Sequence, residues 1–203
     1  MHNEPKTQGI KAGFHGLWIY AQHVVGLVRP GRPLPTYLEP VEAVSTLDKW
    51  GDADFELIID EGRRQYDAQI SALEEIRGRA QWLFSVALAL AGADAALALK
   101  VFPHPTHAQL AAWICSVAFT SWSALGVAAV ITGTAKLSGI ATAPLSTYEP
   151  PVKKQLAKDY AEILDVGEQT VNTRITLYRQ GVVWLILGGY AALAALLLHQ
   201  YAV

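Results

Sequence analysis

Charge is scarce in this sequence. Its 203 residues carry 16 Lys and Arg and 18 Asp and Glu, together 17% of the chain, where a water-soluble domain carries about 25%. That leaves too little charge to cover a surface facing water. With 52% hydrophobic residues and a mean hydropathy of +0.23, intrinsic disorder is excluded too. The net charge of −2 excludes the basic balance by which nucleic-acid binders neutralise phosphates. A single cysteine, Cys115, excludes a disulfide framework and any Cys-based zinc site. Proline is absent from Val41 to Phe102 and from Val152 to Val203, so two long stretches are free to run as helix. No Walker loop, dinucleotide-binding glycine pattern, HExxH or GxSxG occurs, and no Ser/His/Asp constellation stands out. The chain is read as a non-enzyme with no catalytic residue, cofactor or metal.

What the chain does have is long apolar runs. A spanning helix needs ~20 mostly apolar residues, because ~30 Å of hydrocarbon is crossed at 1.5 Å per residue. Trp82 to Phe102 and Leu110 to Ala135 qualify, and Gly181 to Leu198 qualifies with less margin. Burying three such runs in a soluble core would need far more covering protein than this chain supplies. The expected fold is an all-α integral membrane protein with three transmembrane helices. Pro103-His104-Pro105-Thr106-His107 is a short link, so the first two spans form an antiparallel hairpin.

Basic residues give the orientation. Arg63, Arg64, Arg77 and Arg79 precede the first span, Lys136 follows the second, and Lys153, Lys154, Lys158, Arg174 and Arg179 precede the third. The hairpin link and the tail after His199 hold no Lys or Arg, while Lys100 can snorkel outward from its helix end. The N-terminus is then cytoplasmic and the C-terminus exterior. No cleavable signal peptide is visible. Trp82 and Trp184 fall at the inner ends of spans one and three, and Trp113 at the outer end of span two, where indole rings anchor at the headgroups.

Ahead of the first span, Ile59, Gly62, Tyr66, Ile70, Leu73, Arg77 and Ala80 recur in steps of three and four along one helix face. Ahead of the third, Leu156, Tyr160, Ile163, Gly167, Val171, Arg174, Tyr178 and Val182 do the same. Each cytoplasmic helix is expected to run straight into its span, with ~25 residues projecting ~40 Å. A weak echo pairs Ile59-Asp60-Glu61-Gly62 with Leu164-Asp165-Val166-Gly167. Two amphipathic helices entering one membrane look alike, which accounts for it. In the N-terminal segment, Phe14, Leu17, Trp18, Ala21, Val24, Val25 and Val28 share one helical face, opposite Lys11, His15 and Gln22. The segment is too short and polar to span; it lies on the inner leaflet or packs on the cytoplasmic helices. Arg29-Pro30-Gly31-Arg32-Pro33-Leu34-Pro35 breaks the chain, and Pro40 can open a short helix to Trp50. The resulting division is 1–52, 53–81 (cytoplasmic helix), 82–135 (transmembrane hairpin), 136–179 (cytoplasmic linker and helix) and 180–203 (third span).

Asp94 is the sharpest chemical feature. It lies 12 residues into the first span, roughly 18 Å past Trp82. A carboxylate in hydrocarbon costs a few kcal/mol and faces a bundle interior or a water-filled path. The hairpin brings Ser116, and with it Thr120, to about the same depth. The functional reading makes Asp94 a proton- or cation-responsive group in a path; the structural one makes it a neutral acid bonded to Ser116 that holds helices together. His104, His107 and His199 gather at the outer surface, and His15 and His23 lie near Trp18; solvated or structural histidines account for them. Small residues are dense in the spans, among them Gly92, Gly126, Gly188 and Gly189, and allow close helix packing. A three-helix protomer has little interior with which to shield Asp94, so a homo-oligomer is expected.

The run Asp60-Glu-Gly-Arg-Arg-Gln-Tyr-Asp-Ala-Gln-Ile-Ser-Ala-Leu-Glu-Glu-Ile-Arg-Gly-Arg-Ala-Gln-Trp82 leads directly into the spanning hairpin, and Tyr160 to Arg179 leads into another span. Over about residues 55–185 this resembles the small bacterial membrane proteins of SLATT type and the Pycsar-type membrane effectors, which pair a cytoplasmic helix with a spanning hairpin. The resemblance implies a bacterial inner-membrane protein of anti-phage defence, which oligomerises and permeabilises the membrane once a cytoplasmic sensor protein is triggered. It implies no catalytic residues. The third span and the N-terminal segment depart from the two-span pattern. The function expected is a homo-oligomeric effector that forms or gates an ion-conducting path. The alternative is a non-conducting scaffold or accessory subunit of a larger membrane complex.

Overall fold

The computed structural model describes residues 6–28, 35, 50–101, 106–133 and 152–201. Among them every element is helical: α1 (Lys6–Val28), α2 (Asp52–Val101), α3 (His107–Thr132) and α4 (Val152–Tyr201). The proline-rich break after α1 apart from Pro35, the short helix expected from Pro40, the link at 102–105 with His104, and the 136–151 linker lie outside the described residues.

Three of the helices, α2, α3 and α4, are long and apolar enough to cross a membrane. Helices α2 and α4 each run 50 residues without interruption, straight through the expected boundaries at 81 and 179. No proline interrupts either one. Asp52 and Asp54 in the first turn of α2 complement the helix dipole, and Asp54 Oδ2 accepts the Gly51 N–H at 2.9 Å. At the head of α3, Thr106 and Gln109 form a capping box: the Gln109 side chain accepts the Thr106 N–H at 2.8 Å, and Thr106 Oγ1 accepts the Gln109 N–H at 3.3 Å.

The described residues divide into two compact units. One takes α1, α2 from Ile76, α3, and α4 from Ile175. In it the α2 positions 76, 80, 83, 87, 90, 94 and 97 are all buried or half-buried, as are 178, 181, 185, 188, 192 and 195 of α4. Alternating steps of four and three are the 3.5-residue repeat of knobs-into-holes packing. Contacts give the directions. Leu83 approaches Gly181 and Leu97 packs with Ala195, so α2 and α4 are parallel. Ser116 meets Gly188 while Ser123 meets Gly181, so α3 runs against both. Helix α3 is the inner one: 39% of its apolar window is buried, against 22% for α2 and for α4.

Helix α1 packs on α3. Its face corrects the expectation. Leu17, Trp18 and Val25 are exposed, whereas Ile19 and Tyr20, outside the expected stripe, are fully buried along with Gly16 and Val24. Fit decides this. Gly16 lets α1 approach Gln180, whose Nε2 would lie 2.7 Å from an added Cβ. The Tyr20 ring covers Gly126, and its hydroxyl donates to Trp122 O at 2.8 Å.

The other unit takes α2 up to Glu75 and α4 up to Arg174. Phe55, Ile59 and Ala157 form its core, the Tyr160 ring lies over Gly62, and Gln69 Nε2 donates to Leu164 O at 3.0 Å. The two helices are again parallel, and Lys153 bonds Glu56 at 2.6 Å. The expected stripe is buried or half-buried from Ile59 to Leu73 and from Leu156 to Arg174, and Gln69 and the fully buried Ala157 widen it. Further along α2, Arg77 is exposed and Ile76 replaces it. A 3.6-residue stripe drifts around a helix, and the 3.5-residue seam does not.

Candidate functional site

Asp94 occupies a seam position of α2 and is 2% exposed. It is locked on three sides. Ser116 Oγ donates to Asp94 Oδ1 at 2.7 Å and lies 3.0 Å from Gly188 O, so one hydroxyl joins α2, α3 and α4. Trp113 Nε1 donates to the backbone carbonyl of Asp94 at 2.9 Å. Thr120, one turn on from Ser116, brings its hydroxyl to the same carboxyl without completing a hydrogen bond. Both Thr120 Oγ1 and Asp94 Oδ2 are buried with no hydrogen-bond partner.

Close approach of α4 makes this geometry available. A Cβ on Gly188 would meet Thr120 Oγ1 at 2.6 Å and the Thr120 backbone N at 3.2 Å. Only glycine lets that carbonyl reach Ser116. The device occurs twice. Ser123, seven residues along α3, donates to the carbonyl of Gly181, seven residues back along α4, at 2.7 Å. The α2 position seven before Asp94 is Ala87, fully buried. By register the Ser123–Gly181 rung therefore stands level with an alanine, and the α2 side chain beside Gly181 is the apolar Leu83, while the Ser116–Gly188 rung carries an acid.

The Ser116–Gly188 rung also has a proton count of its own. Ser116 has a single hydroxyl proton and two oxygens within reach, Asp94 Oδ1 and Gly188 O. An ionised Asp94 competes with Gly188 O for it. A neutral Asp94 supplies a second proton, and both contacts can then be hydrogen bonds.

Asp94 also closes the floor of a groove of about 770 Å³ between α2 and α4. Leu90 and Leu97 line it from α2, and Ile186, Gly189, Tyr190 and Leu193 from α4. No other lining residue is charged.

The other sequence candidates scatter. Gly126 lies beneath Tyr20, and Gly188 at the Ser116 rung. Gly92 and Gly189 face open space. Trp82 is 69% exposed, Trp184 packs on Phe119 at 5.4 Å between ring centroids, and Trp113 turns its indole N–H inward to Asp94. His107 is exposed and His199 half-buried, and no three metal-ligating side chains gather among the described residues. The Ser123–Gly181 rung and the Trp113 bond are absent from the sequence reading. Their signal is a run of small polar residues, Ser116, Thr120 and Ser123, in steps of four and three. No family model, curated protein or solved structure matches the chain.

Proposed function

We propose that the chain is a membrane effector that conducts ions or permeabilises the bilayer, acting as a homo-oligomer whose path runs along the groove at Asp94. One observation carries this reading: of two equivalent Ser–Gly rungs, Ser123–Gly181 forms with the apolar Leu83 beside it and no acid, and Ser116–Gly188 holds an acid with an unpartnered oxygen. Packing alone does not require the carboxyl, and an unneeded intramembrane acid is costly. The basic flanks support a cytoplasmic N-terminus and an exterior C-terminus, and the resemblance to SLATT-type proteins supports a bacterial inner membrane. The outward faces of α2 and α4, including Gly92, support assembly of copies around a shared path. Anti-phage defence and a cytoplasmic sensor partner that acts on the helices ahead of the spans follow from the same reading.

The triple contact of Ser116 favours the second reading, a non-conducting scaffold in which Asp94 serves as a clamp. Flux of ions and small dyes from liposomes holding the purified protein separates the two. The effector reading expects flux that Asp94→Asn changes with the fold intact. Sealed vesicles around correctly inserted protein, with the sensor partner present, would leave the scaffold.

A further inference from the structure

We infer that the groove between α2 and α4 is a binding site for a lipophilic monovalent cation, which the Asp94 carboxylate holds in exchange for one proton. This rests on α2 and α4 lying in a membrane and is independent of whether the protein conducts.

The walls are apolar, formed by residues such as Leu90, Leu97 and Leu193, and their volume of about 770 Å³ falls within the ~300–1,000 Å³ of small-molecule sites. Such walls select a hydrophobic body. The floor selects the charge. Asp94 is 2% exposed, and its Oδ2 has neither protein partner nor water access. No Lys, Arg or His lines the groove to neutralise it. The groups packed against Asp94 from α3 are Ser116, Trp113 and Thr120, and from α4 Gly188, none of them charged. Tyr190, 69% exposed, is the one other titratable group of the wall and offers an aromatic face to a cation. An anion would meet the carboxyl unscreened, and a neutral hydrophobe would leave Oδ2 without a partner.

The exchange balances on atoms already in place. With the groove empty, the carboxylic acid donates to Ser116 Oγ, and the Ser116 proton goes to Gly188 O. With a cation bound, Asp94 loses that proton to the medium, and Ser116 turns its own proton to Oδ1. One positive charge enters and one leaves, so the buried site keeps its net charge.

Tetraphenylphosphonium binding to the full chain in nanodiscs tests this, with empty nanodiscs subtracted and proton release followed by a pH dye. Saturable binding is expected, with about one proton released per cation and affinity falling towards tenfold per pH unit where the acid is protonated. Asp94→Asn should weaken binding at least tenfold. Gly189→Leu should weaken it similarly by filling the groove; its Cβ meets nothing within 4 Å, so this variant stands even where Asp94→Asn fails to fold. Gly92→Leu, outside the lining, should bind as the parent does. No saturable binding, equal affinity in Gly189→Leu, equal affinity for tetraphenylborate, or pH-independent binding would each overturn the assignment. Flux without cation binding overturns this inference alone, and cation binding in sealed vesicles overturns conduction alone.

Discussion

Replacing Gly126 with alanine should detach α1 from α3. The added Cβ would overlap Oη, Cζ and Cε2 of Tyr20. That ring is fully buried and its hydroxyl is fixed on Trp122 O, so it has no free rotamer into which to swing. Expelling it forfeits about 1.5–3 kcal/mol of burial and about 1 kcal/mol of hydrogen bonding. Alanine returns about 1 kcal/mol over glycine within a helix. The net loss is about 1.5–3 kcal/mol. Denaturant titration in mild detergent, read alongside protease sensitivity of α1, measures it. Placing Gly126→Ala in a Tyr20→Ala background completes a cycle, since with the ring gone the same substitution should be neutral or stabilising by up to about 1 kcal/mol. A Gly126→Ala protein as stable as the parent, with α1 equally protected, refutes this packing.

Ser116→Ala removes the hydrogen-bond partner of Asp94 Oδ1 and should cost roughly 1–3 kcal/mol, more than the ~1 kcal/mol of Ser123→Ala, whose partner Gly181 O lies within a helix; equal costs in chemical unfolding would contradict the asymmetry of the rungs. Lys153 holds the Glu56 carboxyl below its usual range, and Glu56 holds the Lys153 ammonium above its own, in each case first through their hydrogen bond. The Glu56 contribution is therefore present above the ordinary carboxylate range and lost as pH falls through its lowered pKa, while the Lys153 contribution is present below the ordinary lysine range and lost as pH rises through its raised one. The stability difference between parent and Glu56→Gln should accordingly be largest near neutral pH, vanish in strong acid and shrink in 1 M salt, where the screening length of about 3 Å is close to the 2.6 Å of the pair; a difference that changes with neither would point to packing instead. Gly188→Ala should loosen α3 from α4 and weaken the Ser116–Asp94 contact, because its Cβ meets the Thr120 backbone as well as the hydroxyl; a thermal shift upward, as helix propensity alone would give, would count against the close approach.

The three helices long and apolar enough to span are legible in the sequence because hydrocarbon would impose length and polarity on each segment separately. The Asp94–Ser116 bond is legible for a related reason: two helices joined by a short link rise equally per residue, so depth can be counted from the turn. The third partner is not, because nothing in the connection between α3 and α4 sets the axial register that brings Gly188 to Ser116. The face of α1 was misread on different grounds. In water, the most hydrophobic residues mark the inside. Against lipid that rule fails. Ile114 and Leu125 of α3 are exposed while Gln109, Ser116, Thr120 and Ser123 are buried. Trp18 and Leu17 are exposed on α1 while Tyr20 is buried for its fit over Gly126. The interior of this unit keeps large apolar residues such as Leu83, Val127, Leu177 and Leu185, and adds to them a file of small polar ones along α3.

That file bears on Asp94 itself. Where α3 buries Gln109, Ser116, Thr120 and Ser123 in a file, a carboxyl in the facing seam could be one more interhelical hydrogen bond. The two rungs argue otherwise, because they provide an internal comparison at one heptad's separation. Each joins a serine of α3 to a glycine carbonyl of α4, at 2.7 Å and 3.0 Å. The Ser123–Gly181 rung has only apolar α2 side chains at its level, Leu83 and by register Ala87, whereas Asp94 completes the Ser116–Gly188 rung with a buried oxygen unpartnered. If the acid served only cohesion, Asp94→Ala should turn the Ser116–Gly188 rung into a copy of the Ser123–Gly181 one and leave the protein as stable or more so, with no other property changed. If it exchanges a proton for a cation, the same variant should keep its fold and its Ser116–Gly188 bond while losing proton-linked cation binding altogether. A stable Asp94→Ala protein that still binds tetraphenylphosphonium with proton release would remove Asp94 from the chemistry.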